Sequence, residues 1–167
     1  LAALQADLTP SAADQTSLAI YDADNHVVAT VSGAGGATVT TYDAAGNPIA
    51  VTRYATPLTA AQLSSLGTSP TLAALQADLV SSATDQTSLA LYDANERVVA
   101  TVGLDGTVTT IAYNDAGLPS LTRQYLAKLS AQQVAALGGA PQIPAVRQGG
   151  GHLARHPRGA AERRRAA

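Results

Sequence analysis

The chain has 167 residues, 46% of them hydrophobic, with 12 acidic and 10 basic side chains and a formal charge of −2. It contains no Cys, Met, Trp or Phe, which excludes a disulfide framework and a thiolate metal centre and leaves a core of Ala, Val, Leu and Ile. No apolar run reaches the roughly 18 to 20 residues that a spanning helix needs, so no membrane span is expected.

Repetition must be settled before the fold is read. LAALQADL opens the sequence and returns at Leu72, and residues 1–31 match residues 72–102 at 24 of 31 positions without a gap. The same offset of 71 relates Tyr42 to Tyr113, Gly46 to Gly117, Tyr54 to Tyr125 and Leu66 to Leu137. The chain is therefore read as two repeat units, 1–71 and 72–143, and a tail at 144–167. Because the sequence begins with Leu inside the repeated phrase, it reads as a piece of a longer array. Each fully buried Leu or Val contributes only roughly 1.5–3 kcal/mol, so a core this poor in aromatics relies on neighbouring units.

In chain order, the first LAALQADL is a short helical arm. Residues 16–21 then alternate apolar with small or polar side chains, as a half-buried strand does. Asp22-Ala23-Asp24-Asn25 forms a hairpin loop, and Val27-Val28-Ala29-Thr30-Val31 is the returning strand. The pattern recurs with strands at 38–42 and 49–54 around Asp43-Ala44-Ala45-Gly46. In the second unit the corresponding loops are Asp93-Ala94-Asn95-Glu96 and Asn114-Asp115-Ala116-Gly117. An Asp or Asn at the first position bonds to amides ahead of it, and the fourth position requires tolerance of positive φ. Glu96 lacks that tolerance, so the third loop is expected to be the least regular.

Two helical arms interrupt the hairpins. Thr59 caps a helix carrying Leu63 and Leu66 and stopped by Gly67. Ser69 and Pro70 are expected to supply the N-cap and first turn of the next, with Leu72, Leu75 and Leu79 buried and Gln76 and Asp78 facing water. The counterpart of the first arm runs over 130–137, before Gly138. Helices this short are marginal alone and need a surface to lie on. The expected fold is mainly β: repeated hairpins with short α-helical pair insertions and a disordered C-terminal tail.

Tyr42-Asp43-Ala44-Ala45-Gly46 and Tyr92-Asp93-Ala94-Asn95-Glu96-Arg97-Val98 resemble the YD repeat of Rhs-type proteins, whose pattern is Tyr-Asp-x-x-Gly-Arg followed by an apolar strand. Both Tyr21 to Tyr42 and Tyr92 to Tyr113 span 21 residues, close to that family's spacing. Arg97 fits the family's Arg, whereas His26, Asn47 and Leu118 depart from it and Asn114 replaces the usual Asp. The resemblance covers roughly residues 16–54 and 87–125. It implies a hairpin ribbon that coils into a hollow shell, often around a toxic C-terminal domain, or a surface protein that mediates cell contact. It also implies that the tyrosines at the strand ends pack as a ladder. The implied partners are neighbouring repeat units of the parent chain, an encapsulated toxin domain or a cell-surface ligand, and the implied location is secreted or cell-surface.

No residue is assigned a catalytic, cofactor-binding or metal-binding role, and no cofactor is expected. The acids of residues 22–25 suggest a calcium loop, but counting from Asp22 the sixth and twelfth positions are Val27 and Gly33 rather than the Gly and Glu of an EF-hand; they are read as turn formers. Gly33-Ala34-Gly35-Gly36 lacks the Lys and Ser/Thr of a phosphate loop and is read as a linker. No Ser sits in a nucleophile elbow, and the chain is read as not an enzyme. His152 and His156 stand four apart without a nearby third ligand. The tail holds six Arg and one Glu over 147–167; without interleaved aromatics it offers no specific nucleic-acid recognition. The leading function is a noncatalytic structural segment of a large secreted or surface Rhs-like protein, forming part of a β-shell or adhesive ribbon. The alternative is a glycan- or protein-binding adhesin module. Strands and helices hold between the units while loops drift, Asp24-Asn25-His26 becoming Asn95-Glu96-Arg97, which favours the wall.

Overall fold

The computed structural model describes residues 16–137. The expectations for the first LAALQADL, the paired histidines and the basic tail lie outside these residues. The fold is mainly β. Strands β1 (Leu18–Tyr21), β2 (Val27–Val31), β3 (Ala37–Tyr42) and β4 (Pro48–Arg53) precede helices α1 (Ala60–Leu66) and α2 (Leu72–Asp78). Then come β5 (Gln86–Tyr92), β6 (Val98–Val102), β7 (Val108–Tyr113), β8 (Pro119–Gln124) and helix α3 (Ala131–Leu137). The eight strands form one antiparallel sheet in sequential order.

Period-two alternation sets which face is covered. Leu18 pairs with Val31, Ile20 with Ala29, Ala29 with Val39 and Val31 with Ala37, so these residues share one face. Ile20, Ala29, Val31 and Ala37 are buried there with Leu58, Leu66 and Leu75 from the helical segment. A second cluster gathers Ala50, Leu89, Val102 and Val134, where α3 rests on β5. On the opposite face the pairing aligns Thr40, Val51 and Ser88, and two residues further along β5 it aligns Ala90, Thr101 and Thr109.

The helices begin where side chains replace missing backbone partners. Thr59 accepts from the Gln62 amide while the Gln62 side chain accepts from the Thr59 amide, closing a capping box. Ser130 and Gln133 repeat it, and Gly67 ends α1 at φ 63°. The expected cap of α2 is corrected: Thr71, with extended backbone, accepts from the Ala74 amide, and Pro70 precedes the cap instead of forming the first turn. Leu75 is fully enclosed, but Leu72 and Leu79 are only half-buried. Gln76 faces water. Asp78 is half-buried because its carbonyl and carboxylate accept from the Gln62 side chain at 3.2 and 3.4 Å.

Candidate functional site

The recurring chemistry of the sheet lies at its hairpin ends. After β1, the Asp22 amide donates to the His26 carbonyl and the Asn25 amide to the Asp22 carbonyl. The three other Asp- or Asn-started loops reproduce both bonds, and in each the strand register shifts by one residue just before the tyrosine. This is the hairpin connection in which a turn is followed by a residue of positive φ and a bulge. Those fourth residues are Asn25, Gly46, Glu96 and Gly117, all with positive φ. The expectation of irregularity at the third loop is therefore overturned. Glu96 adopts φ 60°, since the Asp93 side chain holds both the Asn95 and Arg97 amides and fixes the loop around it.

Each first-position carboxylate is occupied by its own turn. Asp22 Oδ1 accepts from the amides of Asp24 and His26, and Oδ2 lies 3.1 Å from His26 Nδ1. Asp43 does the same with Ala45 and Asn47. Asp93 binds the Arg97 guanidinium at 2.9 and 2.7 Å. Bonds from Arg97, first through its side chain and then its amide, hold the Asp93 carboxyl below its ordinary range. The Asn47 amide and side chain do so for Asp43. At Asp22 desolvation acts upward but is outweighed by His26 and the Asp24 amide, and the net direction is down. Asp22, Asp24 and His26 bring potential ligand atoms within 4.8 Å of one another. Since Asp22 is already committed to the turn and Arg97 takes the place of His26 in the second unit, the cluster has the build of a turn.

The fifth loop residue faces the next hairpin. The His26 ring stacks on Tyr42 at 4.7 Å, and the Arg97 guanidinium lies 4.4 Å over the Tyr113 ring, an arrangement favourable for a cation. The tyrosines then fasten each hairpin to the one before. The Tyr42 hydroxyl donates to the Val27 carbonyl (3.1 Å), Tyr92 to Pro48 (3.2 Å) and Tyr113 to Val98 (2.8 Å). Each acceptor lies six residues beyond the preceding tyrosine. Tyr21, first of the series, is 58% exposed. The expected ladder is thus a set of hydroxyl-to-carbonyl latches, a role invisible in sequence because the acceptors are backbone atoms.

At the opposite end of the sheet the Gly-rich loops do more than link. Gly35 and Gly106 have φ 86° and 79°, and their carbonyls accept from the Leu58 and Leu129 amides at 2.9 Å. A Cβ at either glycine would lie 2.2 or 2.0 Å from the Leu58 or Leu129 carbonyl oxygen. Asp105, bonded to the Lys128 ammonium and then to Thr107, is held well below the carboxylate range. Between this loop, residues 81–87 and α3 lies a wide cleft of about 770 Å³, lined by Thr52, Asp85, Asp105 and Val134 among others. No described helix is long and apolar enough to cross a membrane.

No protein-family model matches the chain, and no curated protein matches it. Among solved structures it is similar to the TcdB2-TccC3-Cdc42 crystal structure, with TM-score 0.45 and 15% identity, covering 71% of this chain and 6% of that one. It is similar also to TcdB2-TccC3 without its hypervariable C-terminal region, with TM-score 0.45, 14% identity and the same coverages. A Photorhabdus luminescens Tc holotoxin pore gives TM-score 0.41 and 17% identity over 65% of this chain and 5% of that one. The chain therefore spans a small fraction of the length of the structures it matches.

Proposed function

We propose that this chain is a noncatalytic structural repeat segment of a large secreted or surface protein of the Rhs type, contributing wall to a β-shell or ribbon. The observation that carries this reading is the tyrosine latch, made in the same way at three successive hairpin junctions. A group repeated at every junction and directed at a neighbour's backbone serves extension, whereas a binding site would direct it at solvent. Repeat architectures gain stability from such nearest-neighbour terms. Of the loop positions that differ between the units, Asp24-Asn25 and Asn95-Glu96 are exposed, in keeping with tips that carry no shared ligand.

The test joins denaturation to binding. Replacing Tyr42, Tyr92 and Tyr113 together by Phe is expected to lower stability by about 0.5–1.5 kcal/mol per latch, while glycan and protein arrays probed with the folded chain show no saturable binding. Saturable glycan binding that is lost on replacing Asp24 and Asn95 with Ala would replace the structural reading with an adhesin.

A further inference from the structure

The junction between the two units provides a template for a contact that the described residues leave unmade. At that junction β4 pairs with β5, Ala50 opposite Leu89, Val51 opposite Ser88 and Thr52 opposite Thr87, and Tyr92 donates to the Pro48 carbonyl. Shifting by the 71-residue offset, β4 corresponds to β8 and β5 to β1. Among the described residues both counterparts are edge strands. Every residue of β8 is exposed, Leu121 to 54% where Ala50 is at 6%. The incoming side of the template is retained closely: Thr16, Ser17 and Leu18 are the residues found at 87, 88 and 89.

We propose that the β8 edge is a docking strand for β1 of a second copy of this chain. The register is that of the internal junction, with Leu121 opposite Leu18 and Thr122 opposite Ser17, and the incoming Tyr21 hydroxyl donates to the Pro119 carbonyl. The proposal rests on the structural-repeat reading and names a partner for it. Three features support it. Tyr21 is the one tyrosine of the hairpin series with no hairpin before it among the described residues, and it is exposed. Proline and arginine commonly protect an open edge, yet β4 carries Pro48 and Arg53 and is paired all the same, so Pro119 and Arg123 leave β8 competent to pair. Finally, the contact unites unlike surfaces of two copies, a head-to-tail arrangement that leaves a fresh β8 edge for the next copy.

The absence of native cysteine makes a crosslinking test clean. Full chains carrying Ser17→Cys and Thr122→Cys are mixed and mildly oxidised. The expected result is a mixed disulfide dimer above the random-pairing ratio, diminished when Tyr21→Phe is added to the Ser17→Cys chain. Pairing Ser17→Cys with Leu121→Cys is expected to crosslink poorly, because a one-residue slip puts the thiols on opposite faces. Equal crosslinking in and out of register, or a monomer by sedimentation at high concentration, would overturn the proposal. The second of these outcomes assigns the edge to a further unit of a longer polypeptide. A single-chain control carrying Val51→Cys and Ser88→Cys separates the two readings. If its internal crosslink forms while the intermolecular one fails, docking is wrong and the repeat reading stands; if neither forms, the repeat junction itself is wrong.

Discussion

At Gly106 one methyl group decides whether the segment entering α3 can reach the sheet. Its counterpart Gly35 is filled in the same way, and both turns receive an amide from the leucine that crosses them. Gly117 has a similar φ but a different neighbourhood: an added Cβ would make only ordinary contact with Arg97, at 3.5 Å. The chain already places Asn25 and Glu96 at the corresponding loop position with positive φ. Gly117→Asn is therefore expected to change stability by less than about 1 kcal/mol. Gly106→Ala adds a backbone collision to the roughly 1–2 kcal/mol cost of the left-handed conformation and is expected to destabilise by clearly more. Urea denaturation of the two variants, compared at equal m-value, checks the ordering.

The elements show what local pattern can and cannot specify. Strand alternation, Asp-started loops and the Thr59 cap were legible because each depends on residues a few positions apart. The cap of α2 was misassigned to Ser69 because Ser-Pro and Thr both satisfy the rule for a helix start, and only the extended backbone at Thr71 distinguishes them. The latches were not legible at all: Tyr92 and Pro48 are 44 residues apart, and the acceptor is a carbonyl common to every residue. Nor was the closeness of Gly35 to Leu58, which arises only once the helical segment folds back. Within α2 the apolar stripe was correct, but its burial is uneven. Leu75 is at 0% exposure and joins Val31 and Leu66 in the core. Leu75→Ala is expected to cost about 2–5 kcal/mol, and Leu72→Ala less, since half of that side chain meets water. Equal losses in thermal or chemical denaturation would place the support of α2 elsewhere.

Across the whole molecule, Asp22, Asp43 and Asp93 stand in successive turns of one series and are all held below their ordinary range. A carboxylate with a depressed folded-state value stabilises the fold above its unfolded value, and that contribution is lost as pH falls through the folded one. Thermal stability is therefore expected to be flat from neutral pH down to roughly pH 4 and to decline below it. Asp93→Asn is expected to lower the neutral plateau and make the acid decline shallower. A decline that begins well above roughly pH 5 would show that these carboxylates do not set the acid dependence. Leu66 is 6% exposed, whereas its counterpart Leu137, the last described residue, is 42% exposed.

The four register shifts all occur in the turns after β1, β3, β5 and β7. In a sequential antiparallel sheet those turns lie along one margin, while the glycine turns and the helical crossing occupy the other. An extra residue bends its strand and adds local twist. The sheet is thus like cloth gathered along a single hem: each added hairpin takes up another tuck on the same side, and lengthening turns the strip consistently in one sense. The gathered hem bears carboxylates, an imidazole and a guanidinium, and the plain hem bears backbone turns beneath leucines, so a strip of any length has two unlike borders.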